Sequence, residues 1–220
     1  MAGPAWFLGL EQTAGKGRRA RAWASPRGNF YGSLLMHPVE PAEQVALRSF
    51  AAALALRDAL VAVTGLAVGW SLKWPNDVLL NGGKLAGILL ESVGAGREAA
   101  HLAIGFGVNL VSAPAAAQVE EGALLPVSLL GETGLRIAPE VFLDALAPAY
   151  AAWESAFTTK GFAPLRAAWL ADAAKLGETI RARTGTQTQI GVFETIDQSG
   201  NLILRTAQGP AVIPAAEVFF

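Results

Sequence analysis

Apolar residues along this chain follow two rhythms, and the change between them divides it. Up to residue 174 short apolar runs alternate with longer helical stretches, whereas from about Leu176 only short alternating runs remain. The clearest pattern covers residues 73–91, where two β-type segments meet at Asn81-Gly82. Both residues tolerate the positive φ that a type I′ turn needs, so the segments are expected to pair as a hairpin. Strict alternation then puts Lys84, Ala86, Ile88 and Leu90 on one face of the second strand, and Leu85, Gly87, Leu89 and Glu91 on the other. A glycine inside an apolar strand marks close approach by a ligand or another backbone, so Gly87 hints at a pocket.

A short buried strand is expected at residues 6–10 and a second strand at 29–36. Another spans 101–110, where Gly105 and Gly107 share a face and leave a groove beside Asn109, whose amide offers a donor and an acceptor. Pro41 and Glu43 open a helix over 42–63, with Leu47, Phe50, Leu54 and Val61 on one face. Residues 94–97 read as a turn, and 111–138 as an irregular excursion with one short helix near 128–131. A helix starts at Pro139 and runs toward Lys160, kinked or divided by Pro148, and a shorter one covers 162–173. Strands at 178–183, 190–196, 201–205 and 211–214, with turns between them, suggest a small barrel. The fold class expected is α/β (α+β): a mixed β-sheet flanked by helices over residues 1–174, then a small β-barrel over 175–220.

Composition narrows the functions. The 220 residues include no cysteine, which excludes disulfides, thiolate metal sites and a cysteine nucleophile, and fits a cytoplasmic protein. Hydrophobic content of 52% raises the question of a membrane span, but Arg48, Arg57 and Asp58 interrupt the longest alanine-leucine region. Residues 1–6 lack the basic start and apolar core of a signal peptide. A net charge of −1 argues against a basic nucleic-acid face, so neither nucleic acid nor membrane is expected as a partner. Charge is unevenly spread, however. No acid lies between Glu11 and Glu40, while Lys16, Arg18, Arg19, Arg21 and Arg27 crowd together, which suggests an anion site. Gly15 and Gly17 let backbone amides approach a phosphate there. The formal Gly-x-Gly-x-x-Ala at 15–20 is not a dinucleotide fingerprint, because the segment 23–26 ends in Pro26 and stops the helix that fingerprint needs. His101 reads as a surface residue. Asp77, just after Pro75, reads equally well as a turn former or as a site group.

Lys73-Trp74-Pro75-Asn76-Asp77, followed by Lys84-Leu85-Ala86-Gly87-Ile88-Leu89, resembles the signature of the biotin protein ligases. The basic loop is similar to that family's adenylate-binding loop, usually Gly-Arg-Gly-Arg-Arg-Gly-Arg-x-Trp. It departs at Lys16, which keeps the charge of the usual arginine without its planar fork, and at Ala20, where glycine is usual and alanine stiffens the loop. Residues 104–109 resemble the Ile-Gly-x-Gly-x-Asn segment whose asparagine sits by the adenine, and 175–220 resemble the SH3-like C-terminal module. The resemblance implies an ATP-dependent ligase: biotin's carboxylate attacks the α-phosphate of ATP, and a lysine of a biotin carboxyl carrier protein then attacks the biotinyl-5'-AMP formed.

By resemblance the catalytic residues are Lys84, Arg18, Lys73 and Asp77, the last steering Mg²⁺ or the incoming lysine. Biotin or adenylate binding falls to Gln12, Gly15, Lys16, Gly17, Arg18, Arg19, Trp23, Lys84, Gly87, Gly105, Gly107 and Asn109. Gln12 and Gly87 would line the biotin pocket, and Trp23 would cover the adenine. ATP and Mg²⁺ are the implied cofactors. The implied partner is the biotin carboxyl carrier domain of acetyl-CoA carboxylase or a similar enzyme, and a homodimer is compatible with the sequence. Two alternative readings are a ligase-like protein that holds an adenylate or acyl ligand without turnover, and a lipoate ligase. In the family a Ser-Thr-Asn turn that bonds the ureido ring precedes the strand at Trp6. No Ser-Thr-Asn occurs in these residues, and each lost bond is expected to weaken biotin binding by roughly 1 to 3 kcal/mol.

Overall fold

Asn81 and Gly82 adopt φ of 50° and 81°, as the turn requires, and fold β4 (Asp77–Leu80) onto β5 (Gly83–Val93). The computed structural model describes residues 3–94, 100–115, 122–185, 187–214 and 216–220, so most of the turn expected at 94–97 lies outside the described residues. A second hairpin, across a cis Trp74-Pro75 bond, joins β3 (Trp70–Lys73) to β4 and sets Lys73 opposite Asp77. β6 (His101–Val108) lies between β5 and β2 (Phe30–Met36), with β1 (Ala5–Gly9) at the edge. The resulting six-stranded sheet runs β1-β2-β6-β5-β4-β3. Its ladders are all antiparallel, and among the described residues parallel pairing is confined to the isolated bridges Leu72–Ala173 and Lys84–Pro126. The sheet is mixed only in that limited sense: hairpins and loops join β1 to β2 and β3 through β6 in turn, while the chain leaves β2 through a helical segment and re-enters at β3 on the opposite edge. At the edge, β1 is only half-buried and Phe7 is 49% exposed, which corrects the expectation of a buried strand.

The helix expected over 42–63 is two helices, α1 (Ala42–Val45) and α2 (Arg48–Thr64). Between them the amides of Leu47, Ser49 and Phe50 bond carbonyls three residues back, on Gln44, Ala46 and Leu47, and this tighter winding turns Arg48 inward. α2 is buried on nearly all sides, packed between the sheet and α4 (Pro139–Lys160). α4 continues through Pro148 as a single element and is not divided. A short α3 (Leu129–Thr133) is capped by Ser128, whose hydroxyl accepts from the Gly131 amide, and α5 (Phe162–Ala171) completes the helical layer. That layer covers the sheet face carrying Leu34, Ile88, Ile104 and Phe106. The opposite face carries Ser33, Gly105, Gly107 and Gly87.

The C-terminal strands β7 (Thr179–Arg183), β8 (Thr188–Ile196), β9 (Leu202–Thr206), β10 (Gly209–Ile213) and β11 (Glu217–Phe219) form an antiparallel sheet ordered β10-β9-β8-β7-β11. Trp169 of α5 packs between Phe50 and Phe193, and Arg166 donates to the Ile196 carbonyl and to Thr195. Trp74, in the turn before Asp77, donates from Nε1 to the Gly200 carbonyl at 3.0 Å. The smaller sheet is therefore tied to both the helical layer and the central hairpin.

Arg48 is 2% exposed and donates to Glu154 at 2.7 Å and Glu40 at 3.0 Å, while Tyr150 donates its hydroxyl to Glu154. Removing one side of such a buried pair leaves the other uncompensated. Arg48→Met is expected to lower the unfolding free energy by about 3 kcal/mol, and Arg48→Met combined with Glu154→Gln to recover part of that loss. Denaturant titration at constant m-value checks both.

Candidate active site

Lys84 and Gly87 lie on the same face of β5, not on opposite faces as strict alternation required. Pairing with β4 steps from Val78–Ala86 to Leu79–Lys84, so Leu85 is one residue too many and the phase of the strand reverses across it. The Cβ that Gly87 lacks would sit 3.7 Å from Lys84 Cε and 3.3 Å from the Trp23 ring. Leu85 itself is fully buried, which holds the bulge in place.

On that face Asp77 gathers the cations. Its Oδ1 lies 2.7 Å from Lys84 Nζ and its Oδ2 3.7 Å from Lys73 Nζ, with Asp77 only 8% exposed. Burial pushes the Lys73 ammonium below the usual lysine range; Asp77 opposes this, while Lys84 and Arg18 add to it. Burial likewise lowers Arg18, with Asp77 as the first opposing charge. Lys73 and Lys84 thus share one carboxylate, and Arg18, from a distant stretch of sequence, lies within its field. Asp77 does not fit the expected role of metal ligand, since two ammonium groups already face its oxygens. No group of three His, Cys, Asp or Glu side chains among the described residues could hold a metal ion.

The basic segment folds into a short ribbon. Trp23 donates its amide to the Gly15 carbonyl, Gly17 to Arg21, and Gln12 to Ser25, and Lys16 bridges Ala22. A turn over Arg18–Ala20 closes the ribbon with Arg19 and Ala20 both at φ 57°. That left-handed geometry disfavours a Cβ, so Ala20 holds a strained position that glycine would fill freely. At Gly15 a Cβ would fall 2.5 Å from Ser25 Oγ and 2.7 Å from Gln12 Oε1, which excludes any side chain. Lys16 is exposed, and Gln12 braces the ribbon by accepting from Ser25 Oγ at 2.7 Å.

The Trp23 indole lies on a glycine floor. Gly87 and Gly107 are direct partners across β5 and β6, and a Cβ on Gly107 would come within 2.7 Å of the ring. Lys84 Nζ stands 5.5 Å from the ring centre on a cation–π contact. Trp23 Nε1 is buried without a hydrogen-bond partner among the described residues. Gly105 is different, because its nearest neighbour is the Leu89 carbonyl at 3.6 Å and a Cβ would fit. Asn109 is 3% exposed and donates Nδ2 to the Val127 carbonyl at 3.1 Å, a bond that uses one of its two amide hydrogens.

The loop cations also have acids that linear reading did not reveal. Glu217 of β11 pairs with Arg19 at 2.9 Å, with Arg21, and with Arg183 at 2.6 Å, while Arg27 pairs with Glu11 at 3.0 Å. Burial raises the Glu217 carboxyl, but the Arg183 bond and the charges of Arg21 and Arg19 outweigh it and leave its pKa below the ordinary value. Arg18 Nη1 donates to the Ala216 carbonyl at 3.4 Å, a contact across 198 residues of sequence. Glu217, Ser25 and the segment at Val127 carried no sequence signal that would have drawn them into the site.

Residues 4–109 match the Biotin/lipoate A/B protein ligase family, and residues 175–220 match the Biotin protein ligase C terminal domain. A biotin--[acetyl-CoA-carboxylase] ligase of Paracoccus denitrificans is 58% identical over 220 residues, covering 100% of this chain and 92% of that protein. A protein of the same name from Mycobacterium tuberculosis is 33% identical over 218 residues, covering 96% and 77%. The solved biotin protein ligase of Aquifex aeolicus in complex with biotin and ATP shares the fold with a TM-score of 0.81 at 24% identity, over 97% of this chain and 87% of that one. With both of its parts matched and more than half of its residues shared with a full-length relative, this chain belongs to the biotin protein ligase family.

Proposed function

We propose that this chain activates biotin with ATP to biotinyl-5'-AMP and transfers the biotinyl group to a lysine of a biotin carboxyl carrier domain, such as that of an acetyl-CoA carboxylase. In this reading residues 1–174 form the catalytic domain and 175–220 an SH3-like module. The convergence of Lys73 and Lys84 on Asp77, with Arg18 within its field, above the Gly87–Gly107 floor, carries the proposal.

An anionic carboxylate must approach an anionic α-phosphate, and the pentacoordinate transition state carries added negative charge. Cations already gathered beside Asp77 supply the opposing field. Asp77 keeps them close by cancelling part of their mutual repulsion, and it loosens its hold as substrate oxygens take its place. Lys84 and Arg18 then stabilise the charge at phosphorus, with Lys73 a further cation beside them. Trp23 excludes water from the glycine floor, and Gly15, Gly17 and Arg19 shape the turn that presents Arg18. Mg²⁺ accompanying ATP would be held by the phosphates themselves, since Asp77 does not fit as its ligand.

The deciding experiment is biotin-dependent exchange of labelled pyrophosphate into ATP, together with streptavidin reactivity of a carrier domain. Tight calorimetric binding of biotinyl-AMP without either activity would instead favour a holding protein that does not turn over. Lys84→Ala is expected to reduce exchange on the order of 100-fold with an unchanged circular dichroism spectrum; loss of the spectrum would give the lysine a structural role. Arg18→Gly is expected to release the adenylate, so that lysines of a bystander protein become biotinylated, and labelling confined to the carrier would contradict the loop assignment. Glu217, with a depressed folded pKa, stabilises the protein above the ordinary carboxylate range and loses that contribution as pH falls through the depressed value. Thermal melts should therefore show wild type losing more stability on acidification below about pH 4.5 than Glu217→Gln.

A further inference from the structure

The chain has only two histidines, and the fold sets them side by side. His37 follows Met36 at the end of β2, and His101 opens β6. The β2–β6 ladder closes with Met36 opposite Leu102, so the two histidines occupy the next step of the same antiparallel register. Their ring centres lie 4.7 Å apart with the planes at 71°. Both side chains are exposed, and alternation with the buried Leu102 puts His101 on the sheet face away from the helical layer.

A T-shaped contact of this kind needs only two aromatic rings. Two imidazoles bring something further, a pair of nitrogen lone pairs that can meet on one ion. A metal–nitrogen bond of about 2.0–2.1 Å places an imidazole ring centre about 3.2 Å from the ion, so centres 4.7 Å apart subtend roughly 95° at it. That angle lies between the square-planar and tetrahedral values. Exposure lets both rings turn about their side-chain bonds and aim a nitrogen at a shared point with no change in the backbone. Among the described residues no third His, Cys, Asp or Glu joins them, so water would fill the remaining positions.

We propose that His37 and His101 form a two-imidazole site for a divalent transition cation of the Zn²⁺, Ni²⁺ or Cu²⁺ class. Nitrogen donors suit those ions, whereas Mg²⁺ takes oxygen ligands and is not a candidate. The site is therefore distinct from the Mg²⁺ that accompanies ATP. It also lies at the far end of β6 from the glycine floor, since His101 to Gly107 spans about 20 Å of strand. A cation held there takes no part in adenylate chemistry. It clamps β2 to β6 one step beyond their last paired residues and protects the end of the sheet from fraying.

The untagged full chain, stripped with a chelator, tests this with the metal ion alone. Cu²⁺ should bind one ion per chain and give an electron paramagnetic resonance spectrum with superhyperfine coupling to two nitrogens. Free Zn²⁺ at about 100 times its Kd should raise Tm by about 5 °C, and Mg²⁺ should leave Tm where it is. His37→Ala and His101→Ala should each lose the Zn²⁺ shift and reduce the coupling to a single nitrogen. Both positions are exposed and remote from the catalytic cluster, so each variant should keep its circular dichroism spectrum and wild-type pyrophosphate exchange. An undiminished Zn²⁺ shift in the double variant would place the ion elsewhere and overturn the proposal. A wild-type spectrum with one coupled nitrogen, or a Tm that Zn²⁺ does not move, would overturn it too.

Discussion

The Asp77 carboxylate, set between the ammonium groups of Lys84 and Lys73 and within the field of Arg18, is the interaction on which the site depends. Cations gathered on a partly buried sheet face repel one another, and the repulsion grows as water is excluded. A single acid among them makes the cluster tolerable in the free protein and still leaves it net positive toward an incoming anion. The backbone makes the arrangement possible in two places. The turn at residues 74–76 sets Lys73 opposite Asp77, and the bulge at Leu85 brings Lys84 round to the same face.

The cluster is held from outside as well. Glu217 of the C-terminal sheet draws Arg19 and Arg21 together, and Arg18 reaches the Ala216 carbonyl, so the basic turn is moored to β11 instead of hanging in solvent. Trp23 seals the space between the ribbon and the sheet, which only paired glycines at 87 and 107 can admit. The smaller sheet meets the central hairpin a second time through Trp74 and Gly200. In this molecule the C-terminal sheet is therefore part of the scaffold of the site, and its contribution is electrostatic as much as it is packing.

Most of the architecture was legible in the chain because it follows from local chemistry. Asn81-Gly82 can hardly avoid a tight turn, Pro139 starts a helix, and the period-2 runs after residue 176 form strands wherever they pack. The misreadings share a cause. Burial of β1, continuity of the helix near residue 46 and the phase of β5 each depend on what lies alongside, and a neighbouring strand or helix is not written in the segment itself.

The residue types at the site, lysines and an aspartate around a Trp-Pro-Asn turn and arginines among glycines, were fixed by the sequence alone, and with them the chemistry of an anion-activating pocket. Tertiary structure decided their direction. One extra residue at Leu85 turned Lys84 over, Glu217 arrived from the far end of the chain to neutralise arginines that look unopposed in the sequence, and Asn109 was drawn inward to the Val127 carbonyl. Side-chain type is a local property, whereas the face a strand presents and the charge that meets it depend on pairing between segments far apart in the chain, and no reading of successive residues contains that pairing.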